Sequence, residues 1–355
     1  MSKDFLFLKT CQREAVERTP VWIMRQAGRY LPEYRAIREK TDFLTLCKTP
    51  ELAAEVTVQP IDIIGTDAAI LFSDILVIPE AMGMDLEIVE SKGPVFDKPL
   101  KSAADVEGLE TENLLERLDY VFQAIKVTKE KLNGRVPLIG FSGAPWTLAC
   151  YMVEGKGSKN FDVVKRLIYS EPKIAHQMLE KLADAIVEYL NEKIKAGCDA
   201  VQIFDTWAGI LSPSDFEEFS FRYLKYICER LETGGAPVIV FAKGVNALEK
   251  LSQLKCSVIG LDWTQDIGEA RNRIGESKAL QGNLDPCVLF APKEKIREET
   301  GRILEKFGHG TGHIFNLGHG ILPKTPVENA RYFVECVKEL SPKYHTIALK
   351  NEQGF

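Results

Sequence analysis

Four arginines, Arg25, Arg29, Arg35 and Arg38, fall within fourteen residues of a chain that is acidic as a whole. A guanidinium is not deprotonated in a protein, so each must meet water or an anion. Its planar fork takes a carboxylate through two parallel hydrogen bonds, which suits a small substrate bearing carboxylates. Arg25 comes directly after Val21-Trp22-Ile23-Met24, an apolar run of the kind that makes a buried strand, and Arg25 and Arg29 flank Gln26-Ala27-Gly28. The competing reading of this stretch is a solvated basic loop with surface ion pairs.

The elements that must position these residues repeat along the chain. Short apolar, β-branched runs are expected to form strands over residues 21–24, 68–72, 136–141, 200–204, 238–241, 258–261, 279–281 and 314–317. Amphipathic helices are expected between them: from Thr49-Pro50 to about Ile64, over 106–132, over 171–196 with Gly197 as the stop, over 212–232, and after Pro326. Residues 79–100 read as an insertion with one short strand at 86–89. Such alternation means a parallel sheet with right-handed crossovers, and eight units close a single-domain (β/α)8 barrel across residues 1–355. Its active site lies at the C-terminal strand ends. Those ends carry Arg25, Asp74 beside Ser73, Ser142, Thr206, Lys243, Asp262, Asn283 and His319.

Composition narrows the class. The 355 residues are 45% hydrophobic and 27% charged, as in ordinary globular proteins, with a formal net charge of −6. An acidic chain argues against a broad nucleic-acid footprint, yet leaves room for a locally positive cleft. No signal peptide is expected, because Met1 to Thr10 lacks the charged-then-apolar order such segments need, and no apolar run reaches the ~20 residues needed to span a bilayer. The eight cysteines are scattered without a CxxC pair, the usage of a reduced cytoplasmic protein without disulfides.

Six motifs then stand in order: Met24-Arg25-Gln26-Ala27-Gly28-Arg29-Tyr30-Leu31-Pro32; Phe72-Ser73-Asp74-Ile75-Leu76; Gly143-Ala144-Pro145-Trp146-Thr147 leading to Tyr151; Phe204-Asp205-Thr206-Trp207-Ala208-Gly209; Gln281-Gly282-Asn283-Leu284-Asp285-Pro286; and Asn316-Leu317-Gly318-His319-Gly320-Ile321. With these the chain resembles the uroporphyrinogen decarboxylase family from end to end. The resemblance implies a (β/α)8 barrel, usually a homodimer, without metal or organic cofactor. It further implies removal of the carboxyl of four acetate side chains of uroporphyrinogen, giving coproporphyrinogen and CO2 on the way to haem. Substrate contact falls on the Arg25-Gln26-Ala27-Gly28-Arg29 segment, Asp74, Tyr151, Thr206 and His319, with Phe43 as a pocket-lining aromatic. Thr206 stands where the family often has Ser; the hydroxyl is kept and the methyl stiffens χ1.

The chemistry suits these residues. Loss of CO2 from an acetate needs an electron sink, which cofactor enzymes take from pyridoxal or thiamine. A pyrrole protonated at its α-carbon is such a sink. A buried carboxylate aimed at the pyrrole N–H groups stabilises the resulting cation, so Asp74, with Arg25 and Arg29 holding carboxylates, forms the expected catalytic set. Asp74 could instead serve only as a helix N-cap before Ile75-Leu76. Three other functions compete. A zinc methyltransferase needs a His and Cys ligand set, but the fifth strand ends Phe241-Ala242-Lys243-Gly244, without His-x-Cys. A Schiff-base lyase would use Lys243. A tetrapyrrole carrier would have little use for an acid beside an anionic ligand.

Overall fold

The computed structural model describes residues 4–89 and 93–345. Its strands are β1 (Ala69–Ile70), β2 (Leu86–Val89), β3 (Gly93–Phe96), β4 (Leu138–Gly143), β5 (Ala200–Asp205), β6 (Val238–Ala242), β7 (Val258–Gly260), β8 (Ala279–Gln281) and β9 (His313–Ile314). All but β2 and β3 form one curled parallel sheet in the order β1-β4-β5-β6-β7-β8-β9.

The segment before Arg25 closes this sheet as an eighth stave. Val21 bridges in parallel to Phe315, with Trp22 N–H donating to the Phe315 carbonyl at 3.2 Å on one side and Asp67 N–H to the Val21 carbonyl at 2.8 Å on the other. The expected strand 21–24 shrinks to this bridge because side chains take its next rungs. The Gln26 Oε1 accepts from Ile23 N–H at 3.1 Å and the Asn316 Oδ1 accepts from Met24 N–H at 2.9 Å. The result is the (β/α)8 barrel that the alternation of elements leads one to expect.

Strands buried on both faces need apolar residues at every position. Trp22, Ile70, Ile139, Phe141, Phe204, Ile239, Phe241, Val258 and Ile314 fill the barrel, whereas Val201, Ile203, Val238 and Val240 face the surrounding helices. One polar layer crosses the interior, from Trp22 Nε1 to Gln281 Oε1 at 2.9 Å and from Gln281 Nε2 to Gln202 Oε1 at 3.3 Å.

The helices Pro50–Ile63 and Pro172–Ala196 agree with expectation, the second ending at Gly197 with φ +123. Thr49 occupies the N-cap position of the first, but its hydroxyl donates to the Thr45 carbonyl at 2.8 Å and caps nothing. The expected helix 106–132 is three pieces, Ala103–Glu107, Leu114–Arg117 and Asp119–Leu132, interrupted at Gly108 and at Asn113 with φ +54. Helix 212–232 is broken by a π turn, Glu217–Phe221. The insertion forms the hairpin β2–β3, of which only β2 was legible as a strand. Among the described residues every cysteine is free, and no helix is long and apolar enough to cross a membrane.

Candidate active site

A cleft of about 380 Å³ opens at the C-terminal ends of the staves. It is lined by Arg25, Ala27, Gly28 and Arg29 from the first stave and Phe43 from the helix Phe43–Lys48. Phe72, Ser73 and Asp74 follow β1, and Phe141, Phe204, Thr206 and His319 complete the wall. A larger groove of about 730 Å³ runs beside helix Pro50–Ile63. Its lining mixes Glu33, Glu55 and Asp62 with Lys40, Lys131 and Arg135, and Arg135 is paired to Asp62. Charges that neutralise one another there leave no electrostatic preference for a ligand, so the cleft is the candidate site.

The first stave and the last turn are stitched together to hold Arg25 beside His319. Ile321 N–H donates to the Met24 carbonyl at 2.9 Å, and Asn316 Oδ1 serves both Met24 N–H and Leu317 N–H. Arg25 itself has φ +63, a left-handed conformation that costs a non-glycine residue about 1–2 kcal/mol. The surrounding hydrogen bonds hold it there and turn its side chain across Gly320. A Cβ on Gly320 would lie 2.8 Å from Arg25 Cγ, so only glycine leaves room for the arginine.

The four arginines divide into two pairs. Arg35 donates to the Arg29 and Tyr30 carbonyls at 2.8 and 3.2 Å, and Arg38 donates to the Thr41 carbonyl while its guanidinium lies 5.9 Å from the Phe43 ring. They stabilise the loop. Arg25 and Arg29 are exposed at the cleft and meet no acceptor among the described residues, which leaves two free cations for an anionic ligand.

Asp74 sits at the cleft floor where the chain leaves β1. Its Oδ1 accepts from Leu76 N–H at 2.7 Å, while helix Val77–Ala81 begins without a side-chain cap. Asp74 therefore fixes a local turn and is not the N-cap of that helix, and no hydrogen bond among the described residues occupies its Oδ2. Burial pushes its carboxyl above the usual range, opposed by the Leu76 N–H and the Arg25 charge. Across the cleft, burial first, and then the Arg25 and Lys243 charges, depress the His319 imidazole to about 3, so it is neutral at physiological pH. Its ring meets Trp263 edge-on at 6.5 Å. Gly318 permits this turn, because a Cβ there would collide with the Trp263 backbone.

Gln26 and Tyr151 lie elsewhere than the cleft wall. The Gln26 side chain is fully buried, joining Ile23 N–H to the Ala68 carbonyl, the latter at 3.0 Å from its Nε2. It is a crosspiece between the first stave and β1, and so between the segments that carry Arg25 and Asp74. Tyr151 stands behind the wall on helix Pro145–Glu154, its ring 6.3 Å from Trp207. Burial raises its phenol pKa, and the charges of Arg25 and Asp74 reach it from opposite signs.

Asp205 was visible in a motif but not as a working residue. It is fully buried, and accepts from Thr147 Oγ1 at 2.6 Å and Ser220 Oγ at 2.5 Å. Thr147 Oγ1 also accepts from Trp207 N–H at 3.2 Å, and Trp146 Nε1 donates to the Trp207 carbonyl at 3.1 Å. Two motifs distant in sequence thus lock the loop bearing Thr206. Asp262 and Asn283 are spent likewise, Asp262 on Gly244 N–H and Thr264 and Asn283 on the Asp262 and Gln265 carbonyls. Lys243 packs its ammonium 5.4 Å from the Trp263 ring, outside the cleft lining. His309, His313 and His319 are separated: His313 stacks on Phe307 at 4.5 Å, and His309 lies 5.5 Å from Tyr344. Among the described residues no group of three or more His, Cys, Asp or Glu side chains is placed to hold a metal ion.

The chain is similar to known proteins over nearly its whole length. The family model described as Uroporphyrinogen decarboxylase (URO-D) matches residues 2–340. The uroporphyrinogen decarboxylase of Chloroherpeton thalassium is 56% identical over 351 residues, covering 97% of this chain and 99% of that one. That of Hydrogenovibrio crunogenus is 53% identical over 345 residues, covering 96% and 98%. Among solved structures, a methyltransferase from Methanosarcina mazei superposes with a TM-score of 0.81 at 24% identity, over 94% of this chain and 97% of its own. That likeness is one of fold.

Proposed function

From the premise that the chain belongs to the uroporphyrinogen decarboxylase family, and is a carboxy-lyase of porphyrin biosynthesis, we propose how its residues carry the reaction. The observation that supports the reading is the pairing, in one cleft, of two guanidiniums with a single carboxylate, the guanidiniums and the carboxylate's Oδ2 all without a partner among the described residues.

Arg25 and Arg29 hold substrate carboxylates, each charge-assisted contact contributing roughly 1.5–3 kcal/mol. They orient the macrocycle and do not drive loss of CO2, since gripping the departing carboxylate would oppose its departure. Asp74 faces the inward pyrrole N–H groups. A proton added at the pyrrole α-carbon beside the acetate makes the ring cationic and imine-like. The electrons of the acetate C–C bond flow into it as CO2 leaves, and an exocyclic methylene forms. That carbon takes a proton to become methyl and the ring loses the α-proton, so each acetate exchanges CO2 for one hydrogen. Asp74 stabilises the cation by a charge already in place. Neutral His319 and Thr206 complete the hydrogen bonding of the carboxylates, and Phe43 with Phe72 and Phe141 covers the ring faces. We further propose that the reaction runs through all four acetates to coproporphyrinogen without metal or organic cofactor, in one barrel domain spanning residues 1–355, in a cytoplasmic homodimer.

The test is to incubate metal-stripped protein with reduced uroporphyrinogen anaerobically, oxidise, and separate the products by carboxyl count. Products running down to four carboxyls without additions support the reading. Tight binding without conversion means a carrier, and activity restored only by zinc means a metal enzyme.

A further inference from the structure

Behind Asp74 the parallel ladder between β1 and β4 comes apart. Ala69 N–H donates to the Pro137 carbonyl at 2.9 Å and Leu71 N–H to the Ile139 carbonyl at 3.0 Å. The next rung of a parallel pair would run from Ser73 N–H to the Phe141 carbonyl, and it is not made among the described residues. Phe72 N–H goes instead to Thr57 Oγ1 at 2.9 Å, and the chain peels off the sheet carrying Ser73 and Asp74 into the cleft. The abandoned Phe141 carbonyl is taken by Lys193 Nζ at 2.7 Å.

Lys193 comes from the long outer helix Pro172–Ala196 and is fully buried. Its ammonium lies 4.2 Å from the Tyr189 ring and 4.8 Å from the Phe141 ring, and no carboxylate pairs with it among the described residues. Gly140 makes the space: a Cβ there would lie 3.2 Å from Lys193 Cδ and 2.8 Å from Cys198 Sγ. One turn earlier, Tyr189 turns its phenol toward Ser73. Among the described residues neither hydroxyl has a hydrogen-bond partner that satisfies it. A buried cation without a counter-ion is costly; burial lowers this ammonium to about 7. Packing alone would be served as well by methionine, so the cost calls for another role.

We propose that Lys193, with Tyr189, is a positioning residue for the reaction: it occupies the split between β1 and β4, keeps the ladder from closing over Ser73, and so holds Asp74 aimed into the cleft. The proposal rests on Asp74 serving the reaction as assigned above. With the ammonium gone, the Phe141 carbonyl is left to recapture Ser73 N–H, which draws Asp74 back toward the sheet.

The experiment is a double-mutant cycle of Lys193→Met and Asp74→Asn, reading kcat and KM separately on uroporphyrinogen, with Tyr189→Phe as a second, milder variant should Lys193→Met not fold. Alone, Lys193→Met is expected to lower kcat about tenfold with KM nearly unchanged and a wild-type near-UV CD spectrum; in the Asp74→Asn background it is expected to add almost nothing. Equal losses in both backgrounds, or a kcat loss that merely follows the fraction of folded protein, overturn the positioning role. Wild-type kcat in Lys193→Met or, if that fails to fold, in Tyr189→Phe does so too. If Asp74→Asn is itself fully active the assignment of Asp74 falls, an outcome distinct from failure of the cycle.

Discussion

Replacing Asp74 by Asn is the sharpest perturbation of the proposed mechanism, because it removes a charge and little else. Asn keeps an Oδ1 acceptor, so the 2.7 Å hydrogen bond from Leu76 N–H and the turn it holds survive. What is lost is the negative end of the field at the cleft floor. A unit charge about 4 Å from a developing cation, at an effective dielectric of about 20, contributes roughly 4 kcal/mol. Removal of a single preorganised hydrogen-bonding group in other enzymes costs ~2.7–4 kcal/mol, a factor of about 10²–10³ in kcat. The two estimates agree, and kcat should fall by about that factor. KM should not rise, since withdrawing an anion from a cleft that receives a polycarboxylate can only ease binding. Anaerobic single-turnover incubation with uroporphyrinogen, with products resolved by carboxyl count, separates the two effects. A kcat within about threefold of wild type, or a loss carried entirely by KM, would refute the electrostatic role.

Four further outcomes follow from the same geometry. Arg29→Ala should raise KM and leave kcat largely alone; an unaltered KM counts against it as a carboxylate anchor. Gln26→Leu should destabilise the fold by roughly 1–3 kcal/mol through the Ile23 N–H it leaves unpaired, the Ala68 carbonyl keeping Thr66 Oγ1 at 3.3 Å, seen as a lowered denaturation midpoint. If stability is kept and only KM rises, Gln26 contacts substrate after all. Gly320→Ala should displace Arg25 and raise KM at near-normal thermal stability, and a wild-type KM would show that Arg25 finds another path to the cleft. The His319 imidazole is held near 3, below its ordinary value of 6.5. Its neutral form is favoured by the fold, so its contribution to stability is complete above pH 6.5 and is lost as pH falls toward 3. His319→Gln should flatten that acid limb in calorimetric melts, and an unchanged slope means the imidazole is not held neutral.

The barrel was legible because its signals are local. A strand buried on both faces announces itself by an unbroken apolar run, and a helix by its period and its stop, as at Gly197. What a local signal cannot carry is the choice of hydrogen-bond partner. Residues 21–24 read as a strand, yet Gln26 and Asn316 take the rungs that would have made them one. The helix expected over 106–132 breaks where Asn113 adopts a left-handed turn that its neighbours' apolar spacing conceals.

The same division runs through the site. By itself the sequence determined that cations, a carboxylate, a hydroxyl and an imidazole end the staves, since strand ends are where polarity begins, and its motifs pointed to the family. Only the tertiary structure decided which of them are free. Among the described residues Arg25 and Arg29 lack acceptors while Arg35 and Arg38 are spent on carbonyls nearby, and Gln26 turns inward to Ala68 while its neighbours line the cleft. Asp205, Asp262 and Asn283 bind the scaffold, and Lys193 reaches the back of β4 from a distant helix. A hydrogen bond is settled within about 3 Å, between groups brought together by the closing of the whole barrel; residue type and spacing say what a side chain can bind, and the fold says what is left for it to bind.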